Sequence, residues 1–382
     1  MPTDTPTSNR PHRLLAIDGG GLAGLIPAEA LIQIEEQLDQ LTGTQKPLSD
    51  RFDLIGGTST GAILAAGLAL GHKASELRDF YLKFGKEIFT KSFLPVRLWH
   101  KYPSGPLEEH LKEVFQESTT LGASELRTKV LIVTKNATLG NDWFFTNNPN
   151  NKFFQTNSGL PLWQVVRAST AAPTYFPPQK ITVPNETGKK QTYEFIDGGV
   201  SSYNNPALRV FVDATTPAAE GGLGWPMGAN QLLLLSLGTG YSSVTIEPGK
   251  ASGYTLLGWA QYMIKELMNE ANLEQNVLMH IIGQRPPAVT SATVELVSSG
   301  AAAGVPGEKA LDRMSTGAQK LVTYQRITVG LTRQRLDQLG LHDVDPAKVR
   351  EMDAADQIPN MQRLGAAVAK EQVRMEALKS FF

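Results

Sequence analysis

Ser59 sits between paired glycines in Gly57-Thr58-Ser59-Thr60-Gly61. Apolar Phe52-Asp53-Leu54-Ile55 precedes the pentapeptide and the small, apolar stretch from Ala62 to Leu70 follows it, so the serine falls on a turn from strand to helix. Glycines two positions either side remove Cβ atoms that would collide in a sharp reversal, and the helix that follows presents its positive end to the turn. Strand, Gly-x-Ser-x-Gly and helix together suit a serine that attacks a carbonyl carbon. The same five residues also serve as an ordinary Gly/Ser/Thr helix cap, so the chemistry depends on what else the chain supplies.

Two further segments supply candidates. The apolar run Arg13-Leu14-Leu15-Ala16-Ile17 reads as a buried strand leading into Asp18-Gly19-Gly20-Gly21-Leu22-Ala23-Gly24, with a helix beginning near Leu25. Three successive glycines let main-chain N–H groups converge on an anion at a helix N-terminus, as an oxyanion hole or a phosphate cradle requires. The helix carries one apolar stripe (Leu31, Ile34, Leu38, Leu41), so it packs on a sheet. Tyr193-Glu194-Phe195-Ile196-Asp197-Gly198-Gly199-Val200 reads as a strand that delivers a carboxylate to the sheet's C-terminal edge, where α/β proteins bind ligands. Taken alone, Asp197-Gly198-Gly199 is equally a local turn.

In this order and spacing the three segments resemble the patatin-like phospholipase family. The resemblance extends over roughly residues 12 to 373 through Arg167-Ala168-Ser169-Thr170-Ala171-Ala172-Pro173-Thr174-Tyr175-Phe176-Pro177, Asn204-Asn205-Pro206, Leu235-Ser236-Leu237-Gly238-Thr239-Gly240 and Met352-Asp353-Ala354-Ala355-Asp356 with Asn360-Met361. It implies an α/β three-layer sandwich with a mostly parallel central sheet flanked by helices. It also implies a lipid acyl hydrolase of the phospholipase A or lysophospholipase type, acting through a Ser-Asp dyad and an acyl-enzyme. Ser59 would be the nucleophile and Asp197 the base, on an elbow shaped by Gly57 and Gly61. Gly19, Gly20 and Gly21, with Thr60, would form the oxyanion hole. No metal and no cofactor is called for, because main-chain donors stabilise the oxyanion. The chain departs from the family at Ala23, where an arginine usually precedes the last glycine of the loop; the main-chain donors remain and a charge near the headgroup is lost.

Other readings make different demands. A Ser-Asp-His triad needs a histidine in a turn at a strand's end, and none of His12, His72, His100, His110, His280 and His342 stands in a Gly-rich turn of that kind. An actin-like nucleotide-binding kinase or ATPase would use Asp18-Gly19-Gly20-Gly21 and Leu237-Gly238-Thr239-Gly240 to hold phosphates, but it leaves Ser59 and Asp197 without a role. A catalytically idle storage or binding protein on the same fold predicts a broken dyad, whereas both dyad residues are present.

The bulk composition narrows the setting. Across 382 residues, 36 basic side chains balance 37 acidic ones, so no global field favours nucleic acid or an anionic membrane. The chain has no cysteine, which excludes disulfides, thiolate metal sites and cysteine nucleophiles. Its longest apolar runs fall short of the roughly 20 residues a membrane span needs, so no transmembrane segment is expected. Residues 1–11 read as a disordered lead and 12–380 as a single domain, cytoplasmic, meeting membrane lipid or a lipid aggregate peripherally. Residues 83–102, with five Lys/Arg against one acidic residue and five aromatics including Trp99, are the candidate contact; the competing reading makes those aromatics core.

Strand-length runs at 13–17, 52–55, 129–134, 193–196 and 231–237 alternate with helical patterns, and 141–150 reads as a strand ending in a turn, so part of the sheet is mixed. Residues 254–282 and 361–379 have helical periodicity. Residues 213–230 and 284–309, rich in small residues, read as partly mobile loops, the first bordering the site.

Overall fold

The computed structural model describes residues 10–90, 100–184, 188–241, 246, 248–286 and 316–382. Among these, nine strands form one sheet: β1 (His12–Ile17), β2 (Leu54–Thr58), β3 (Lys129–Asn136), β4 (Asn141–Thr146), β5 (Gln179–Pro184), β6 (Lys190–Asp197), β7 (Leu232–Leu237), β8 (Gly283–Gln284) and β9 (Val322–Ile327). Their order is β5-β6-β3-β2-β1-β7-β9-β8, with β4 also on β3. Strands β3, β2, β1, β7, β9 and β8 run parallel, while β4, β5 and β6 join antiparallel, so the sheet is mixed and mostly parallel as expected.

Period-two alternation explains the layers. Leu15, Ile17, Ile55, Ile132 and Leu235 point to one face, where they pack with α1 (Leu25–Thr42), α2 (Thr60–Ala69), α3 (Ala74–Ile88) and the C-terminal helix Ile358–Gln372. Leu14, Ala16, Leu54, Leu131, Val133 and Leu234 point to the other, against Val210 and Phe211 of α7 (Ala207–Thr215) and Met279 of α8 (Leu256–Ile282). Between α3 and α7 lie α4 (Gly105–Phe115), the single turn α5 (Phe154–Asn157) and α6 (Leu162–Ser169). Helix α1 buries Leu31, Ile34 and Leu38 along its expected stripe and stops at Gly43, whose φ of 63° lies in the left-handed region. Helix α2 is buried along its whole length, and its small side chains are what let it lie close to the sheet.

Two elements differ from the sequence reading. Strand β9 has no apolar run because its polar residues are partnered inside: Thr323 Oγ1 donates to the Ala229 carbonyl at 2.6 Å and Gln325 Nε2 to the Gln372 carbonyl at 3.1 Å. Arg326, also on β9, makes a two-pronged ion pair with buried Asp18 and donates to Ser236 Oγ at 2.6 Å. Residues 213–230 leave the end of α7 as a mostly irregular segment, as expected, but they do not border the site. Leu223 and Trp225 donate to the Asp213 and Ala214 carbonyls, and Trp225 stacks on His12 with ring centroids 4.2 Å apart, at the end of β1 remote from the glycine loop. Of 284–309, only 284–286 fall among the described residues. No helix among the described residues is long and apolar enough to cross a membrane.

Arg326→Met strands Asp18 as an uncompensated buried charge, and the expected loss is about 3–5 kcal/mol of stability, read as a lower urea midpoint. Adding Asp18→Asn is expected to restore most of it; a double variant as unstable as the single one would show that Arg326 acts through packing alone.

Candidate active site

Strand β2 ends at Thr58, paired with Val133 of β3, and the chain reverses at Ser59, which adopts φ 53° and ψ −120°. That conformation costs a side-chain-bearing residue roughly 1–3 kcal/mol and persists only where its surroundings enforce it. Here they do. The Ser59 N–H donates to Ser169 Oγ at 2.8 Å, and Ser169 Oγ in turn donates to the Val133 carbonyl at 2.6 Å. Thr58 Oγ1 donates to the Tyr203 carbonyl at 2.7 Å. A Cβ at position 57 would strike the Gly61 main chain, and one at position 61 the Ile17 carbonyl, so both flanking glycines are steric requirements.

Asp197 reaches the serine by an unusual route. Strand β4 pairs with Leu131–Asn136 of β3, β2 with residues 129–133 and β6 with residues 134–136, so β2 and β6 share the edge of β3 opposite β4. They run toward each other along it. Their ends meet at adjacent positions, Thr58 beside Val133 and Asp197 beside Thr134. At that junction Ser59 Oγ donates to Asp197 Oδ2 at 2.6 Å, while Asp197 Oδ1 accepts the Gly199 N–H at 2.7 Å. Ser59 is 9 % exposed and Asp197 4 %. Burial raises the Asp197 carboxyl to about 6, against the lowering effect of the Ser59 and Gly199 hydrogen bonds and of the buried Arg167 guanidinium.

The glycine loop follows Asp18 and is held from several sides. Thr239 Oγ1 donates to the Gly19 carbonyl at 2.6 Å, and Leu22 N–H donates to the Met352 carbonyl at 2.8 Å. The Gly19 N–H donates to the Asn204 carbonyl at 3.1 Å. Its amide therefore supports the loop and is not free for an oxyanion, contrary to the expectation for Gly19. Gly20 and Gly21 open the short turn Gly21–Gly24 and Thr60 opens α2, positions whose N–H groups have no acceptor within the helix. Gly21 has φ 61° and lies against the Met352 main chain, where a Cβ would not fit. Thr239, offered by the phosphate-cradle reading as a phosphate donor, is committed to the Gly19 carbonyl.

Ser59, Thr60, Gly21 and Asp197 line a cavity enclosing about 760 Å3 of empty space, part of it open to solvent. Much of its lining is apolar, with Ile63, Phe80, Ile88, Phe89, Leu107 and Phe176, and Ile264 and Met268 of α8 also line it. No histidine lines it among the described residues. A neighbouring cavity beyond Gly20 is bordered by Ala23, Lys265 and Arg350, so two cations share the cavity that Ala23 lines. In the segment 83–102, Phe84 stacks on His110 at 3.7 Å, Phe89 packs on Tyr102 at 5.2 Å, and Tyr102 is buried. Tyr102 thus belongs to the interior and Phe84 and Phe89 are half-buried against it; Phe93 and Trp99 lie outside the described residues.

Fold and site place the chain among α/β proteins that carry a serine on a strand-to-helix elbow. More narrowly, residues 15–211 match the family model described as patatin-like phospholipase, and the chain belongs to that family. It is 32% identical over 284 residues to patatin-like protein 2 of Arabidopsis thaliana, a match covering 68% of this chain and 67% of the relative. It is 30% identical over 269 residues to patatin-T5 of Solanum tuberosum, covering 66% of each. A cGAMP-activated phospholipase of Vibrio cholerae is 33% identical over 257 residues, covering 63% of this chain and 68% of that one. The chain thus spans about two thirds of the length of these curated relatives.

The supports of the site were harder to read from sequence than its reactive groups. Ser169 lies in a segment that carried the family resemblance, yet nothing in its neighbours marks it as the prop of Ser59. Arg326 stands in a strand with no apolar signature.

The shift of Asp197 from 3.8 to about 6 favours the protonated carboxyl in the folded state by roughly 3 kcal/mol at about 1.4 kcal/mol per unit. That contribution is fully present below pH 3.8 and is lost as pH rises through about 6. Asp197→Asn, which carries no charge, is therefore expected to unfold at higher temperature than the parent at pH 8, with the gap closing toward pH 4. Thermal melts across that range check the sign, and a variant less stable at pH 8 would contradict the burial account.

Proposed function

We propose that the protein is a lipid acyl hydrolase that cleaves fatty acyl esters, of the phospholipase A or lysophospholipase type, through Ser59 and Asp197. The observation that carries this reading is the 2.6 Å hydrogen bond from Ser59 Oγ to Asp197 Oδ2 at the head of an apolar cavity. Membership of the patatin-like phospholipase family supports the substrate class.

In this mechanism an ester carbonyl rests over Ser59 with its acyl chain along Ile63, Phe80 and Phe176. Asp197 takes the hydroxyl proton as Oγ bonds to the carbonyl carbon, and the carbonyl π electrons move onto oxygen. The Gly20 and Gly21 N–H groups, with that of Thr60, receive the oxyanion. Collapse breaks the bond to the alcohol, which leaves with the proton from Asp197. Water then attacks the acyl-enzyme, giving its proton to Asp197, and the second collapse returns that proton to Ser59 Oγ and releases the fatty acid. A carboxylate is a weaker base than imidazole, and the burial that lifts Asp197 to about 6 brings it closer to the strength the step needs.

Fatty acid release from phosphatidylcholine, lysophosphatidylcholine, galactolipid and p-nitrophenyl butyrate tests the proposal. Ser59→Ala and Asp197→Asn are each expected to lose at least about a thousandfold in turnover while remaining folded. A fluorophosphonate probe should label Ser59. Substituting each histidine singly, or adding a chelator, should leave turnover unchanged. Because the carboxylate is the working form, kcat/KM is expected to fall as pH drops through about 6. A folded histidine variant without activity would return the triad reading; labelling at another residue would remove Ser59 from the mechanism.

A further inference from the structure

Exposed apolar side chains scattered singly are ordinary on protein surfaces. In this protein they gather. Nine large apolar side chains are exposed among the described residues, and five of them, Tyr254, Leu256, Trp259, Met263 and Leu267, fall within one stretch of 14 residues at the start of α8. Leu256 is 89% exposed and Met263 61%. Leu256, Trp259, Met263 and Leu267 recur at three- and four-residue spacing, which draws a single stripe about 16 Å long on the helix. Trp259 packs against Tyr254 and Tyr262, with ring centroids 5.2 Å and 5.6 Å away, so an aromatic cluster stands at the start of the stripe.

The same row of α8 continues as Glu270, Glu274 and Leu278, all exposed. Along this row, charge faces water in the second half of the helix, while the first half presents apolar groups. The apolar half is the one that borders the candidate active site. Ile264 and Met268, next in sequence to Met263 and Leu267, line the cavity that holds Ser59. The stripe and part of the cavity lining are thus carried by one helix.

We infer that this stripe seats the protein on a phospholipid bilayer, with Trp259 and Tyr254 at headgroup depth and Leu256, Met263 and Leu267 in the outer acyl region. The inference rests on the proposed acyl hydrolysis, which requires a bilayer to meet the cavity. A second copy on the stripe would cover the helix that contributes Ile264 and Met268 to the cavity, whereas a bilayer there brings substrate beside it. The lipid's charge does not select it: residues 248–267 carry Lys250 and Lys265 against Glu266, and Lys265 is engaged with Glu351 at 2.6 Å. Binding should accordingly be driven by apolar contact, with neutral lipid sufficient.

The test uses vesicles of a diether phosphatidylcholine, which an ester hydrolase cannot consume. The variant Leu256→Gln/Met263→Gln/Leu267→Gln changes exposed side chains outside the catalytic machinery. It is expected to lose at least tenfold in vesicle partitioning by sedimentation while hydrolysing p-nitrophenyl butyrate at the parental rate. Raising salt from about 0.1 to 0.5 M should alter parental partitioning less than twofold, since the screened charges are few. Vesicles should also blue-shift the parental tryptophan emission, and Trp259→Phe should abolish the shift, a readout that stands even if the triple variant folds poorly. Unchanged partitioning and an unchanged shift would overturn the inference. So would sedimentation equilibrium showing that the parent is a dimer which the variant dissociates, because the stripe would then be an interface between copies. Vesicle binding without ester hydrolysis would refute the hydrolase reading and spare the surface; ester hydrolysis without vesicle binding would do the reverse.

Discussion

One edge of β3 is shared by two strands that approach from opposite ends, and the site depends on how they stop. Strand β2 occupies the edge up to Val133 and β6 occupies it from Thr134 onward, so neither can lengthen without displacing the other. The separation of Ser59 and Asp197 is thereby fixed by main-chain pairing and not by flexible side chains. Ser169 reinforces the same point from below, bonded to both the Ser59 N–H and the Val133 carbonyl. Gly198 is needed for a related reason: a Cβ there would press on the Val133 carbonyl and push the aspartate turn away from the sheet.

This construction holds two unfavourable features together. Ser59 has a backbone conformation that side chains disfavour, and Asp197 is a carboxylate taken out of water. Each is offset locally, by Ser169 and by the Gly199 N–H, but neither would persist on a yielding scaffold. The surrounding interior supplies the rigidity: α2 is buried along its length behind the serine, and Asp18 beneath the glycine loop is clamped by Arg326. Strain and desolvation at the reactive pair are thus balanced by packing and by a buried ion pair elsewhere.

Much of this was legible in the residues. The elbow glycines, the run of three glycines and the aspartate at a strand's end announce themselves because small residues in tight turns leave a sequence signature. The central strands β1, β2, β3 and β7 were legible as apolar runs because both their faces are covered. Strand β9 was hidden for the converse reason: its Thr323, Gln325 and Arg326 are buried but satisfied by partners 94, 47 and 308 positions away, and no local pattern encodes a partner so distant. Residues 213–230 misled through composition, since Gly, Ala and Pro mark turns without saying whether main-chain hydrogen bonds fasten them. The aromatics at 84, 89 and 102 show the same limit; their spacing fits a surface or a core, and only tertiary contacts reveal that Tyr102 is buried with Phe84 and Phe89 packed partly against the core.

The pairing of Asp18 with Arg326 also has a temporal side. The two residues are 308 positions apart, so a chain emerging from the ribosome carries its glycine loop through all of that added length before the guanidinium exists to neutralise the carboxylate beneath it. Until β9 is in place, the native seat of Asp18 is electrostatically costly. The seat of the glycine loop is therefore completed only when a residue 308 positions further along the chain has joined the sheet.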